Sequence, residues 1–210
     1  MKTQVLVVED NKYMLHFLSE LVQKQEPYVL AGELRDADQV LSFCKNEKVN
    51  LILMDVQTLH GHSGLSAAQK VRESYPDIKI LVVTSLVDPE VLRLAKEYGV
   101  DSLWYKDHGE EEILDVMERT LAGESVFPDR SPNVEIGKAW SDDLSDMQKK
   151  ILRLYIQGNS YAAIARKCFI EEVTVKYHMG QMIQKCGFQT KQQLVAAAID
   201  STLITNISCS

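Results

Sequence analysis

Leu51-Ile52-Leu53-Met54-Asp55 places four apolar residues directly before a carboxylate. An uninterrupted apolar run of this length suits a strand buried on both faces of a parallel sheet. Its last residue then falls on the carboxyl edge of that sheet, where open α/β folds bind their ligands. Taken alone, Asp55 reads more simply as a turn residue, because Asp is common in turns. What else reaches the same edge decides its role.

Upstream, Val5-Leu6-Val7-Val8 is a second apolar run, followed by Glu9-Asp10-Asn11. Adjacent acids beyond a buried strand are costly unless they meet a cation or water. Asp10 or Asn11 can start a helix on which Tyr13, Met14, Phe17, Leu18, Leu21 and Val22 recur at helical spacing, closed by Pro27. Tyr28 to Glu33 reads as a strand and Ala37 to Asn46 as a helix. Downstream of Asp55, a glycine-containing loop from Gln57 to Gly64 leads to a helix over Leu65–Ser74. Ile78 to Thr84 is the fourth strand. Pro89 starts a helix that Gly99 stops. Asp101 to Lys106 is a fifth strand, and a helix carrying Ile113, Leu114, Val116, Met117 and Leu121 follows.

Five strand–helix alternations predict a doubly wound, five-stranded parallel sheet. The right-handed crossover rule brings all five strand ends to one edge. Glu9, Asp10, Asp55, Thr84 and Lys106 are collected there. Individually they read as a helix cap, a strand-end threonine and a surface lysine; together they form a chemical set. Hard carboxylate oxygens suit Mg²⁺. Asp55 is then placed to attack a phosphoryl group. Lys106 can neutralise the phosphoryl charge, and the Thr84 hydroxyl can hydrogen-bond one of its oxygens.

On these residues, positions 1 to about 121 resemble the receiver domain of bacterial two-component response regulators. The resemblance implies a flavodoxin-like sheet of order 2-1-3-4-5. It also implies Mg²⁺ held by Glu9, Asp10, Asp55 and the backbone carbonyl of Gln57, and phosphorylation of Asp55 by a sensor histidine kinase. The loop after Asp55 departs from the common pattern. Leu59 stands where many receivers have proline, and Gly64 lies one residue beyond the usual glycine. Leu103 occupies a position, three before Lys106, that is often Tyr or Phe; Trp104 or Tyr105 are alternative carriers of the conformational step. His60 and His62 in the altered loop invite a metal site, but without a third ligand solvent exposure is the expectation. Gln57 is a candidate for orienting a hydrolytic water.

The second half differs in charge. Residues 144–210 hold eight Lys/Arg and four Asp/Glu, net +4, against 15 and 26 in residues 1–143, net −11. Opposite signs indicate two domains with different partners, the basic one a candidate for nucleic acid. Ala122 to Asp143, with Gly123, Pro128, Pro132 and Gly137, reads as a linker containing at most a short ordered piece. Ser145 with Gln148, and Thr190 with Gln193, are capping boxes. Ser160 caps a short helix between them, and a helix from about Glu172 to Cys186 buries Val175, Met179, Met182, Ile183 and Cys186. Four short helices with a tight turn between the second and third suit a helix-turn-helix.

Leu144-Ser-Asp, Gly158-Asn-Ser160, Ile164-Ala165, Thr174-Val175-Lys176 and His178 resemble the NarL/FixJ (LuxR-type) DNA-binding domain over roughly 141–205. The resemblance implies a third helix in the major groove of promoter DNA and a homodimer on paired half-sites. Lys176, Tyr177, Gln181 and Gln184 are candidate groove residues, and Thr174 and Lys185 candidate phosphate contacts. Glu171 stands where the usual serine caps that helix, and Glu172 follows it. Gly180 costs helix stability of about 1 kcal/mol relative to Ala.

The domains expected are thus a receiver over 1–121, a linker over 122–143 and a helix-turn-helix domain over 144–210. No apolar run approaches a membrane span. Cys44, Cys168, Cys186 and Cys209 lack metal-ligand or framework spacing and read as reduced thiols of a cytoplasmic protein. Two other classes stay open. One is a signalling module whose second domain binds a protein rather than DNA. The other is an aspartyl-phosphate phosphatase, disfavoured because Gln57 stands where such enzymes place a second Asp.

Overall fold

The computed structural model describes residues 2–106 and 109–205. The described residues divide into two compact units, one carried by residues 2–85, 90–106 and 109–130, the other by residues 86–89 and 131–205.

In the first unit, strands β1 (Thr3–Val8), β2 (Tyr28–Leu34), β3 (Leu51–Met54), β4 (Lys79–Thr84) and β5 (Ser102–Tyr105) form one sheet of order β2-β1-β3-β4-β5. All its pairings are parallel. The expected fold class and strand order are both observed. Helices α1 (Lys12–Lys24), α2 (Val40–Asn46), α3 (Gly64–Ser74), α4 (Pro89–Glu97) and α5 (Glu110–Leu121) alternate with the strands. Every residue of β3 is buried, which explains its unbroken apolar sequence. Val5, Val7, Leu51, Leu53, Leu81, Val83 and Trp104 share one face of the sheet with Leu18 of α1 and Ile113 and Met117 of α5.

Asn11 caps α1, accepting from the backbone N–H groups of Tyr13 and Met14, an interaction that stabilises a helix by about 1 kcal/mol. The buried face of α1 is Leu15, Leu18, Leu21 and Val22; Tyr13, counted with the apolar series above, is 89% exposed.

After α5 the chain runs back along the outer strand. The Leu103 N–H donates to the Val126 carbonyl at 2.9 Å, and the Val126 N–H to Ser102 Oγ at 3.0 Å. This pairing covers the open edge of β5, which would otherwise expose unpaired backbone groups.

The second unit opens with a small hairpin, β6 (Glu135–Ile136) and β7 (Ala139–Trp140), followed by α6 (Asp146–Ile156), α7 (Tyr161–Cys168), α8 (Glu172–Lys185) and α9 (Lys191–Asp200). Both expected capping boxes form, at Ser145/Gln148 and Thr190/Gln193. Ser160 caps α7 through the Ala163 N–H. The core combines Ile136 and Ala139 with Ile151, Leu152, Ile164, Val175, Met179, Met182 and Leu194. Two-residue strands carry no period that a sequence pattern can reveal, so the hairpin is found only in the structure.

Among the described residues, no helix is long and apolar enough to cross a membrane.

Candidate functional site

The carboxyl edge of the sheet gathers the residues that the strand ends predicted. Asp55 follows β3 directly, and its N–H donates to the Val8 carbonyl at 2.9 Å. The Glu9 N–H donates to the Leu34 carbonyl at 2.9 Å, fixing the acidic pair between β1 and β2. The Lys106 N–H donates to the Thr84 carbonyl at 2.9 Å, tying the ends of β4 and β5 together. Glu9, Asp55 and Thr84 are buried.

Charge organises this edge. Lys106 Nζ lies 2.9 Å from Asp55 Oδ2 and 2.6 Å from Glu9 Oε2. Carboxylate oxygens of Glu9, Asp10 and Asp55 all lie within 4.8 Å of one another. Burial, followed by the nearby Asp55 charge, pushes Glu9 up to about 7 despite the Lys106 ammonium. Burial also raises Asp55, with Lys106 and the Val56 N–H at 2.7 Å opposing it. For Lys106, burial works against the ammonium but Asp55 and Glu9 outweigh it, and its pKa is raised. Three carboxylates facing one ammonium leave an excess of negative charge in a partly dry site. Hard oxygen donors in this excess fit a small divalent cation.

One neighbour, Arg35, was missed from the sequence, and another, Gly64, was noted there only for its spacing. Arg35 donates from Nη2 to the Asp10 carbonyl at 2.7 Å, binding the first loop to the end of β2. Gly64 begins α3 against the Asp55 backbone: a Cβ there would stand 1.8 Å from the Asp55 carbonyl oxygen. Glycine is therefore required at this position, since no larger residue fits between β3 and α3. Gln57 is exposed and pairs as an isolated bridge with Ser63.

Leu103, Trp104 and Tyr105 are all buried. Side chains alternate along a strand. Trp104 therefore faces the α1 and α5 core, whereas Leu103 and Tyr105 point to the opposite side of the sheet. Tyr105 pairs with Thr84 in register, so it and not Trp104 adjoins the Thr84 strand end from that side.

His60 and His62 are solvent-exposed, as expected. Both rings contact Asp36, a residue that the sequence did not connect with them.

In the second unit, α7 ends at Phe169, which adopts a left-handed conformation (φ 57°) and leads into α8. Glu171 occupies the N-cap position of α8 without a side-chain cap bond, as its length predicts. Val175, Met179 and Met182 face the core. Lys176, Tyr177, Gly180, Gln184 and Lys185 are exposed, and Thr174 and Gln181 half-buried. The surface face of α8 is already organised. Lys176 pairs with Glu172 at 2.8 Å. Gln181 Nε2 donates to the Tyr177 hydroxyl at 2.7 Å, and Lys185 Nζ to the Asp143 carbonyl at 2.5 Å.

Comparison with known proteins bears on both units. Residues 5–118 match the response regulator receiver domain, and residues 142–198 match the bacterial regulatory proteins of the luxR family. The transcriptional regulatory protein YxjL of Bacillus subtilis is 25% identical, the alignment covering 97% of this chain and 98% of YxjL. The response regulator protein VraR of Staphylococcus aureus is 28% identical, covering 97% of this chain and 100% of VraR. Among solved structures, one of two RcsB dimers bound to two parallel DNAs aligns with a TM-score of 0.64 at 17% identity, covering 96% of this chain and 99% of that one. The chain belongs to the response regulators, with a receiver domain followed by a LuxR-family DNA-binding domain.

Proposed function

We propose that this protein is a cytoplasmic, phosphorylation-switched transcription regulator in which Asp55 is the phosphoacceptor. The observation that carries the proposal is the Lys106 ammonium held between Glu9 and Asp55 at the strand edge. An Asp55 carboxylate oxygen attacks the phosphorus of a phosphohistidine on a sensor kinase. A P–O bond forms to Asp55 as the P–N bond breaks, and the imidazole leaves with the electron pair. Glu9, Asp10, Asp55 and the Gln57 carbonyl would hold Mg²⁺, which supplies charge neutralisation for the phosphoryl oxygens. Lys106 then exchanges its contact with Asp55 for one with the phosphoryl group. The Thr84 hydroxyl donates to another phosphoryl oxygen, and Tyr105 beside it transmits the change to the face away from Trp104. Water, oriented by Gln57, attacks the phosphorus; the P–O bond to Asp55 breaks, inorganic phosphate leaves, and Asp55 returns to the carboxylate.

The output is promoter DNA binding as a homodimer. Lys176, Tyr177, Gln181 and Gln184 enter the major groove, with Thr174 and Lys185 on phosphates. Support comes from the exposure of this face and from the net positive charge of its domain. The test is incorporation of phosphate from acetyl phosphate in Mg²⁺, followed by binding to duplex DNA. Wild type is expected to be labelled and to bind DNA more tightly afterwards; Asp55→Asn is expected to do neither.

A second reading, in which this domain docks on a protein, draws on the exposed Phe169, Val173 and Tyr177 beside Glu171 and Glu172. Salt dependence separates the two. A steep fall in DNA affinity with salt supports phosphate contacts, and absence of DNA binding at low salt supports the protein partner.

A further inference from the structure

We propose that Asp36, His60 and His62 form a second cation site, for an imidazole-preferring transition metal such as Zn²⁺, Ni²⁺ or Co²⁺. It is separate from the Glu9–Asp10–Asp55 cluster in both position and chemistry.

Three facts converge on it. His60 Nδ1 lies 2.9 Å from Asp36 Oδ2, and His62 Nδ1 lies 2.6 Å from Asp36 Oδ1. One ligand atom from each of the three residues falls within 4.8 Å of the others. A metal with bonds of about 2.0–2.2 Å to nitrogen and oxygen needs donor atoms about 3–3.5 Å apart, so small side-chain rotations admit the ion.

The donors are also held in place. Asp36 is buried, and its carboxylate accepts from the Asp38 N–H at 3.0 Å. Thr58 Oγ1 accepts from the Ala37 N–H at 3.0 Å and donates to the His62 carbonyl at 2.9 Å, clamping the two loops that meet there. His60 itself occupies the left-handed region (φ 62°, ψ 11°), a conformation uncommon outside glycine that aims its ring at Asp36.

Donor type sets selectivity. Two imidazoles and one carboxylate suit borderline divalent metals, whereas Mg²⁺ prefers an all-oxygen set. The side chains of His60 and His62 are 73% and 46% exposed, which gives the ion an entry path and leaves its remaining positions to water. A bound ion would cross-link the loop after β3 to the turn after β2. The proposal does not depend on phosphorylation of Asp55.

The test uses the full-length protein, stripped with chelator and titrated with Zn²⁺ by calorimetry in excess Mg²⁺. Co²⁺ substitution is followed by visible absorption. Wild type is expected to bind Zn²⁺ and to develop Co²⁺ d–d bands. His60→Gln and His62→Gln, both at exposed positions, are each expected to weaken Zn²⁺ by about tenfold or more and to remove the bands. Asp36→Asn should do the same, with circular dichroism confirming that it folds. Undiminished binding in the His60→Gln/His62→Gln double variant would assign the metal to other groups and overturn the proposal. Absence of Zn²⁺ binding to folded wild type would overturn it too, leaving the imidazoles as hydrogen-bond partners of Asp36 alone.

Discussion

The Lys106 ammonium lies between Glu9 and Asp55, and its two short contacts offset the repulsion between those two carboxylates at the strand edge. The compensation is incomplete, since Glu9 is still pushed up to about 7. Folded Glu9 therefore holds its proton more tightly than unfolded Glu9. That contribution to stability is present below the ordinary value of 4.5 and is lost as pH rises through about 7. Magnesium at the proposed site would compete with the same proton. Its affinity is expected to rise with pH, by about tenfold per unit below the Glu9 midpoint if one proton is displaced. Calorimetric Mg²⁺ titrations across pH check this, and Glu9→Gln should flatten the dependence. A second expectation concerns Lys106→Met, which removes the ammonium and keeps the stem. Phosphorylation of Asp55 should slow at least tenfold while the fold persists, measured by phosphate uptake and circular dichroism.

At the scale of elements, two junctions are most sensitive to substitution. The β3–α3 junction has no room for a methyl group at Gly64, where a Cβ would meet the Asp55 carbonyl oxygen at 1.8 Å. Gly64→Ala is expected to destabilise the receiver by about 2–3 kcal/mol, measured by urea unfolding. At the head of α8, Glu172 holds Lys176 at 2.8 Å. An exposed pair of this kind contributes only about 0.3–0.5 kcal/mol to the helix, yet it places a carboxylate where phosphates would approach. Glu172→Gln should leave stability nearly unchanged and raise affinity for duplex DNA several-fold, with a steeper dependence on salt, in fluorescence anisotropy. The elements were largely legible because their ends carry explicit signals. Asn11, Ser145, Ser160 and Thr190 all cap the helices that they precede. The β6–β7 hairpin had no such signal, and its burial of Ile136 becomes visible only in the assembled core. The exposure of Tyr13 shows the opposite failure, an aromatic at helical spacing that begins one step outside the buried face.

On the scale of the whole molecule, the sheet edge could be read from sequence because topology alone brings five strand ends together. The Asp36–His60–His62 cluster could not, since it depends on two loops meeting, and loop conformation has no period. Charge division was legible as well: an acidic receiver precedes a helical unit of net positive charge, and in the proposed function the first carries the phosphoryl chemistry and the second the DNA face. Joining them implies that phosphorylation alters DNA affinity, so tighter promoter binding should require Asp55 and be lost in Asp55→Asn without loss of basal non-specific binding. The central claim is narrower and can be tested directly, by intact-protein mass measurement after incubation with acetyl phosphate and Mg²⁺. Wild type should gain the mass of one phosphoryl group and Asp55→Asn none; an equal gain in Asp55→Asn, or no gain in folded wild type, would contradict it.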